Sequence, residues 1–274
     1  MAETPDPHPS IRLLLSDLDG TLLTPDVTVT ERSREAVNRL KEKGIAFTVT
    51  SSRPPRGTLD VIRMLEVTLP IAVFNGGMIV RPDLSVIEQH VLTPQIVHGL
   101  IPVLQGDGLD VWLYTGEDWF VPDRHGPHVD KATESLGFEP KVLSSYDTLP
   151  GEIIKIVGYS GDHDRVARCK DRVQKRFPRE VSASSSKPYY VDITHPAADK
   201  GAVVEWLSSH LRIPAEQVAT IGDGPNDVMM FKKSGLSIAM GNADESVKKA
   251  ARFTTRGNDE EGFAHALEEY LLQT

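Results

Sequence analysis

The sequence contains a single cysteine, Cys169, among its 274 residues. One cysteine excludes an intramolecular disulfide and a metal site built from several thiolates, and it fits a reducing cytoplasm. Cys169 lies in step with Val166 and Val173 on one face of a predicted helix. We therefore expect it to be a small buried residue rather than a reactive thiol.

Long apolar runs and concentrated basic residues are also scarce. No apolar stretch approaches the length of a membrane span, and the polar, proline-rich first ten residues have none of the apolar character of a signal peptide. The formal net charge of -9 at pH 7 argues against a nucleic-acid-binding surface, which needs clustered Lys and Arg. We predict a cytoplasmic protein without nucleic-acid or membrane partners, either a monomer or a weak homo-oligomer.

Short strands and amphipathic helices alternate at both ends of the chain. This alternation is typical of an α/β fold in which helices cover both faces of a parallel sheet, with ligands at the carboxyl ends of the strands. The predicted strands are residues 11–15, 45–50, 71–75, 218–221 and 236–240. The first predicted helix follows a capping-box pattern at Thr28 and Glu31. The other predicted helices are residues 58–65, 200–211 and 227–233 and two segments after residue 244.

The middle of the chain has a different pattern. The predicted strands there are residues 112–114, 119–121, 153–159, 181–185 and 189–193, and helices fit residues 94–104 and 162–177. Tight Gly or Pro turns join several of these strands, which favours antiparallel pairing. We predict a Rossmann-like, doubly wound parallel-sheet core from residues 1–86 and 196–274, interrupted by an α+β domain at residues 87–195.

Two carboxylates follow the first buried strand directly, in the sequence DLDGT from Asp17 to Thr21. We expect no neutralising side chain near Asp17 or Asp19, so a bound divalent cation would relieve their repulsion. Hard oxygen ligands of this kind suit Mg²⁺. Taken alone, the pattern is explained equally well by an Asp-Gly turn with a capping residue.

A second acidic loop, GDGPND from Gly222 to Asp227, lies between a predicted strand and a predicted helix. Alone it could be a Gly/Pro turn in which Asn226 or Asp227 caps the helix. Two acidic loops at the carboxyl ends of strands in one parallel sheet, however, supply enough carboxylates to hold a metal ion there.

Two further segments carry groups suited to an anion. Lys200 begins a predicted helix, where a lysine opposes the helix dipole unless an anion is bound nearby. The second predicted strand ends in the segment Thr50, Ser51, Ser52 and Arg53, where hydroxyl and amide groups could bind a phosphoryl oxygen. Taken singly, the first could be a solvated lysine and the second an ordinary polar turn.

Taken in the order in which they occur along the chain, the four segments resemble the four motifs of the haloacid dehalogenase-like (HAD) phosphatases, specifically the Cof-type branch with a large inserted cap. The sequences NGG at residues 75–77 and AMGNA at residues 239–243 are similar to the same branch. The resemblance covers essentially the whole chain. It implies a Mg²⁺-dependent phosphatase that acts on a small phosphorylated metabolite, with sugar phosphates as the expected class.

The resemblance also implies roles for individual residues. Asp17 would be the nucleophile that forms an aspartyl phosphate, and Asp19 would protonate the leaving alcohol and then activate water. The Mg²⁺ ligands would be Asp17, the backbone carbonyl of Asp19 and Asp223, with Asp227 in support. The groups expected to bind the phosphorylated substrate are Gly20, Ser51, Arg53, Lys200 and Asn226.

The second motif departs from the family pattern, which has Thr-Gly-Arg where this chain has Ser51-Ser52-Arg53. Ser51 retains a hydroxyl, but Thr50 lies one residue earlier, so either residue could bind the phosphoryl group. Within the insertion, Lys155 and Lys187 could contact the leaving group of the substrate. A surface or edge-strand lysine is the alternative for each.

Other polar and aromatic residues of the insertion are expected to be structural. We interpret His125 and His128 as loop residues, because no further metal ligands lie near them in sequence. We expect four aromatic residues to form the core of the insertion rather than a stacking surface, namely Trp112, Tyr114, Trp119 and Phe120.

Two other functions remain open from the sequence. A sugar phosphomutase would use the same aspartate but return the phosphoryl group to the sugar instead of to water. A binding or regulatory protein would keep the fold without the chemistry, although such a protein has no need of Asp19.

Overall fold

A computed structural model describes residues 10–273. The predicted absence of a signal peptide concerns a segment that lies almost wholly outside this range. The strands of the described range are β1 (Leu13–Ser16), β2 (Ala46–Val49), β3 (Ile71–Val73), β4 (Met78–Val80), β5 (Val86–Gln89), β6 (Asp110–Tyr114), β7 (Trp119–Val121), β8 (Lys141–Val142), β9 (Lys155–Tyr159), β10 (Ser182–Ser184), β11 (Tyr190–Thr194), β12 (Val218–Gly222), β13 (Leu236–Ala239) and β14 (Phe253–Thr254). Its α-helices are α1 (Glu31–Glu42), α2 (Leu59–Met64), α3 (Pro94–Gly106), α4 (Val129–Leu136), α5 (His163–Arg176), α6 (Lys200–Leu211), α7 (Val228–Lys233), α8 (Glu245–Lys248) and α9 (Gly262–Tyr270).

The chain forms two compact units. The first comprises the described residues through Thr50, residues Met64–Leu69, and the described residues from Lys200 onward. The second comprises Ser51–Arg63 and Pro70–Asp199. The predicted boundaries of an inserted domain, at residues 87 and 195, stay a prediction. The division above follows the compactness of the chain, and a compact unit need not coincide with a domain that folds independently.

The first unit contains a parallel five-stranded sheet in the order β14-β13-β12-β1-β2. Strand β1, next to the central strand β12, is fully buried, which explains why residues 13–15 are an apolar run rather than an alternating pattern. The chain leaves β1 towards β2 on one side and later returns to β12 on the other. The carboxyl ends of β1 and β12 therefore meet where the strand order reverses, the usual ligand position in such sheets.

Helix α1 begins two residues after its predicted start. Thr30 is the N-cap, and its side chain accepts a hydrogen bond from the Ser33 amide at 3.1 Å. The predicted capping box at Thr28 and Glu31 is therefore wrong. Thr28 lies instead in the turn before the helix. Its carbonyl accepts a hydrogen bond from the Thr24 backbone amide, and the hydroxyls of the two threonines form a hydrogen bond with each other.

The second unit contains two sheets. A six-stranded sheet has the order β10-β11-β9-β6-β7-β8, and its neighbours are antiparallel except for β7 and β8. Helices α3 and α5 pack against strands of this sheet and against each other, around an apolar core that includes Leu113, Ile156 and Cys169. The predicted fold class, an α/β parallel-sheet core with an additional α+β portion, is confirmed.

One predicted strand lies in a different sheet from the one expected. Strand β3 is not part of the parallel sheet but forms an antiparallel three-stranded sheet with β4 and β5. The reason is the tight turn after β3, in which Phe74, Asn75 and Gly76 all adopt positive φ angles, of 53°, 59° and 92°. An Asn-Gly pair in such a turn reverses the chain into a hairpin.

Within residues 10–273, no helix combines the length and the apolarity that crossing a bilayer requires.

Candidate active site

Two acidic residues extend the central strands of the parallel sheet at the same edge. Asp17 follows the last residue of β1 and donates its backbone amide to the Ile221 carbonyl at 2.9 Å. Asp223 follows the last residue of β12, the neighbouring parallel strand. The predicted convergence of the two acidic loops at this edge is therefore present in the first unit.

Lys200 lies between two of the carboxylates. Its Nζ donates to Asp17 Oδ1 at 2.5 Å and to Asp227 Oδ1 at 2.6 Å. Lys200 itself is only 1% exposed, and both carboxylates are buried. The expectation that no neutralising side chain lies near Asp17 is thus wrong, because a residue 183 positions later supplies one. The same contacts offer an ionic reason for a lysine at the start of α6.

Asp227 also holds the loop between β12 and α7. Its Oδ2 accepts hydrogen bonds from the Asp223 amide at 3.0 Å and the Gly224 amide at 2.9 Å. The side chain reaches these amides across Gly222, where a Cβ atom would lie 2.4 Å from Asp227 Cγ. Asp227 therefore does not cap α7 with its side chain, as the structural explanation of this loop required, but binds two backbone amides that precede it.

Asp223 is held by the first acidic loop and by a residue that the sequence analysis left without a role. Its Oδ1 accepts a hydrogen bond from the Thr21 hydroxyl at 3.3 Å, and its Oδ2 accepts one from Asn242 Nδ2 at 3.3 Å. Gly20 has a φ angle of 86°, and a Cβ atom there would lie 2.3 Å from Asp223 Oδ2. Glycine at position 20 thus permits the close approach of the Asp223 carboxylate.

Asn242 belongs to a short chain of amide side chains. Its Nδ2 also donates to the Gly20 carbonyl at 2.9 Å, and its Oδ1 accepts from the backbone N–H of Asn258 at 3.0 Å. Asn258 in turn donates to the Leu23 carbonyl at 2.8 Å. The AMGNA sequence was a signal for Asn242, whereas no sequence pattern indicated Asn258.

The electrostatic balance of the cluster favours an additional cation. Burial raises the pKa of the Asp17 carboxyl well above its usual range, and although Lys200 opposes this rise, the charges of Asp227 and Asp223 add to it. Burial alone would lower the pKa of Lys200, but Asp17 and Asp227 together raise it above its ordinary value. Lys200 therefore stays protonated, and its single charge contacts two carboxylates in a cluster of three.

The donor set of the cluster fits a hard divalent cation. Carboxylate oxygens of Asp17, Asp223 and Asp227 all lie within 4.8 Å of one another. Oxygen ligands gathered at this spacing suit a small divalent ion, whose charge would favour the ionised form of all three carboxylates. Asp19 and Asn226, the other predicted residues of the two loops, are half-buried near the same strand ends in the chain.

Thr50 brings an unsatisfied hydroxyl to the end of β2. Its backbone amide donates to the Ser16 carbonyl at 2.8 Å, so it lies beside the residue that precedes Asp17. The residue is fully buried, and its Oγ1 has no hydrogen-bond partner within residues 10–273. An orphaned buried hydroxyl is uncommon, and it marks Thr50 as a candidate donor to a bound anion.

Ser51 and Arg53 lie in the second unit and are both buried. The Ser51 hydroxyl oxygen accepts a hydrogen bond from the Arg53 amide at 3.1 Å, which leaves its own hydrogen available to donate. Arg53 Nη1 donates to the carbonyls of Gly57 at 3.1 Å and Ser135 at 2.8 Å. This part of the guanidinium therefore holds backbone segments together, and its predicted contact with substrate stays a prediction.

The two lysines predicted in the insertion differ sharply in their surroundings. Lys155 is buried, with an ion pair to Asp192. Lys187 is exposed in the turn before β11, and its carbonyl accepts a hydrogen bond from the Tyr190 amide at 3.1 Å. Lys187 is thus open to solvent, whereas the ammonium group of Lys155 is engaged inside the second unit, and the predicted contact of each with substrate stays a prediction.

The residues expected to be structural are mostly placed as predicted. Trp112, Trp119 and Tyr114 are buried, and Phe120 packs partly buried against the apolar core of the second unit. Cys169 is fully buried in that core. Among the two histidines, His128 is half-buried and stacks on Tyr159 with ring centroids 4.9 Å apart, while His125 is exposed.

Known proteins resemble this chain over nearly its whole length. A family model described as haloacid dehalogenase-like hydrolase matches residues 14–267. A Haemophilus influenzae protein provisionally named a phosphatase is 29% identical over 94% of this chain and 97% of its own length. The 5-amino-6-(5-phospho-D-ribitylamino)uracil phosphatase YwtE of Bacillus subtilis is 26% identical over 95% of this chain and 98% of its own length.

A solved structure shows the same fold. The crystal structure of a haloacid dehalogenase-like hydrolase from Bacteroides thetaiotaomicron is 29% identical in sequence and superposes with a TM-score of 0.83. The match covers 94% of this chain and 99% of the other.

Proposed function

The chain belongs to the haloacid dehalogenase-like hydrolase family, and from this premise we propose that it is a Mg²⁺-dependent phosphomonoesterase acting through an aspartyl phosphate on Asp17. Family membership confirms the resemblance predicted from the four motifs. The predicted enzyme class is confirmed as well, because the curated relatives are named phosphatases.

The observation that carries the proposal is the buried contact of Asp17 with Lys200, with Asp227 and Asp223 alongside. In the proposed reaction, a carboxylate oxygen of Asp17 forms a bond to phosphorus as the bond from phosphorus to the leaving oxygen breaks. Asp19, two residues later, gives a proton to that leaving oxygen. It then takes a proton from the water that attacks the aspartyl phosphate, which releases inorganic phosphate and restores both carboxyl groups.

Lys200 would act on both the nucleophile and the phosphoryl group. Its contact with Asp17 holds the carboxylate in one orientation before substrate binds, and its contact with Asp227 holds the lysine itself. A cation in this position stabilises the negative charge that develops on the phosphoryl oxygens. Ser51, Asn226, Gly20 and Arg53 are proposed to bind the same substrate, as the family resemblance implies.

Asp17, the Asp19 carbonyl and Asp223 are proposed to hold Mg²⁺, with Asp227 in support. When bound, the ion would neutralise charge between the carboxylates and the phosphoryl oxygens. The clustering of three carboxylates, only two of which contact Lys200, supports this assignment.

The proposed substrate is a small phosphorylated metabolite, with a sugar or sugar-alcohol phosphate as the expected class. Support comes from the name of YwtE, which specifies a phosphorylated ribityl group. Lys187, exposed at the β10–β11 turn, is proposed to contact the leaving group. A cytoplasmic location and the lack of nucleic-acid or membrane partners stay predictions from composition.

A phosphate-release screen tests the proposal. The purified protein would be assayed with Mg²⁺ against sugar phosphates, sugar-alcohol phosphates, nucleotides and p-nitrophenyl phosphate, with Asp17→Asn as the matched control. We expect inorganic phosphate from at least one metabolite, and a loss of at least about two orders of magnitude in the variant. Conversion of one sugar phosphate into its isomer without phosphate release would identify a mutase instead.

A further inference from the structure

We propose that Lys155, held by Asp192, is a positioning residue for the backbone of residues 51–53, rather than a contact to the leaving group. The inference rests on the proposed function, which assigns Ser51 and Arg53 in this segment to the binding of the phosphorylated substrate. It concerns the second unit alone, which contains all of the residues involved.

Lys155 reaches the segment with a direct hydrogen bond. It is the first residue of β9, it is 6% exposed, and its Nζ donates to the Ser52 carbonyl at 3.1 Å. The two residues are 103 positions apart in sequence. A buried ammonium group that donates to a backbone carbonyl makes one of the stronger neutral-acceptor hydrogen bonds available in a protein.

The charge of Lys155 is compensated on the adjacent strand. Asp192 lies on β11 and forms an ion pair with Lys155, and its side chain is fully buried. Asp192 is held in turn by Ser186, whose amide and hydroxyl donate to its Oδ2 at 2.7 Å and 2.6 Å. Lys155 also lies over the Tyr114 ring, 5.7 Å from its centroid. The ammonium group therefore has little freedom to turn towards a ligand.

The other two carbonyls of the segment are also engaged. The Ser51 carbonyl accepts from the Asn75 amide at 2.8 Å, and the Arg53 carbonyl accepts from the Phe74 amide at 3.0 Å. These two bonds tie the segment to the turn after β3. Lys155 supplies the bond for the carbonyl between them, so all three consecutive carbonyls are held.

This arrangement predicts a uniform effect of Lys155 on all substrates. Loss of the bond to Ser52 would let the peptide between Ser51 and Arg53 reorient, and both residues on either side are proposed substrate contacts. Every phosphate ester presents the same phosphoryl group to Ser51. A contact to the leaving group would instead change only the ranking of substrates.

The test removes the bond without leaving a buried charge. Lys155→Met alone would strand the Asp192 carboxylate, so the main variant is Lys155→Met with Asp192→Asn, which replaces a buried ion pair by neutral side chains of similar size. Lys155→Arg keeps the charge and the donors as the conservative variant. Lys141→Met is the control, because Lys141 pairs with Asp118 in the same unit but its side chain is 61% exposed.

Two readouts are compared for folded variants, as judged by urea unfolding. The first is kcat/KM for p-nitrophenyl phosphate and for two metabolites from the screen, and the second is calorimetric binding of inorganic phosphate to the Mg²⁺-loaded protein. We expect kcat/KM of the double variant to fall roughly tenfold, by a similar factor for every substrate. We also expect the double variant to bind phosphate more weakly. Lys155→Arg should recover part of both losses, and Lys141→Met should change neither.

Two results would overturn the proposal. One is a changed substrate ranking with unchanged p-nitrophenyl phosphate turnover and phosphate binding, which would make Lys155 a leaving-group contact. The other is a folded double variant with normal kinetics and phosphate binding, which would make the ion pair purely structural. Failure of the proposed function is distinct, because the wild-type protein would then release no phosphate from any substrate.

Discussion

Removing the charge of Lys200 tests how the cluster is balanced. Lys200→Met retains the apolar stem but leaves Asp17 and Asp227, both buried, without the cation that contacts them. Breaking a buried ion pair from one side costs about 3–5 kcal/mol, because the remaining charge is uncompensated. We expect the free energy of unfolding, measured in EDTA, to fall by that amount, a large part of the roughly 5–15 kcal/mol typical of a protein.

Urea unfolding of the wild type and of two lysine variants supplies the measurement. The matched control is Lys233→Met, because Lys233 forms an ion pair of similar length with Glu205, but the two side chains are 44% and 58% exposed. A surface substitution of this kind changes the free energy of unfolding by about 0.5 kcal/mol or less. Equal stability of the Lys200 and Lys233 variants would refute the electrostatic account of the cluster.

Two additions separate charge from packing in the same assay. Adding Asp227→Asn to Lys200→Met should recover part of the lost stability, since one uncompensated charge is then removed. Mg²⁺ should raise the unfolding midpoint of Lys200→Met more than that of the wild type, because the competing cation is absent. Two results together would attribute the destabilisation to packing. The first is a double variant whose loss in free energy of unfolding is the sum of the two single losses, and the second is an equal effect of Mg²⁺ on Lys200→Met and the wild type.

Three further predictions concern the metal, a hydroxyl and the thiol. Phosphate release should vanish in EDTA and return with Mg²⁺ but poorly with Ca²⁺, which prefers more ligands at longer distances; full activity after chelation would contradict this. Thr50→Val should leave urea stability unchanged or higher, because it removes an unsatisfied buried hydroxyl, yet should raise KM; if only Ser51→Ala raises KM, then Ser51 is the phosphate-binding hydroxyl. Cys169 should be unreactive towards a thiol reagent at pH 8 until the protein unfolds, because burial and Asp107 raise the pKa of its thiol to about 12; rapid labelling of the native protein would contradict this.

Local patterns in the sequence predicted much of the first unit. Helix α6 spans the predicted residues 200–211, and strands β12 and β13 lie within one residue of their predicted ends. These elements are long or strongly apolar, so periodicity and turn residues define them. The two-residue strands β8 and β14 escaped prediction, because pairing with a neighbour rather than composition makes them strands.

Contacts between distant residues account for the rest. The motifs indicated Asp17 and Lys200 as site residues, but only the fold shows that they touch. The ties from Asn242 to Gly20 and Asp223 likewise join segments that no local pattern connects. For Lys155, an apolar strand context suggested a functional reason for the charge, and the buried partner Asp192 supplies a structural one.

Chemical trapping of the phosphorylated enzyme tests the central claim most directly. Asp19→Asn would be mixed with Mg²⁺ and p-nitrophenyl phosphate, whose leaving group needs no proton, so that the aspartyl phosphate forms but its hydrolysis is slowed. After acid quenching, borohydride reduces an aspartyl phosphate to homoserine, which peptide mass spectrometry locates. We predict homoserine at position 17 and nowhere else, and none when Asp17→Asn is treated in the same way. Homoserine at another aspartate, or an unmodified Asp17 during rapid turnover, would contradict the account.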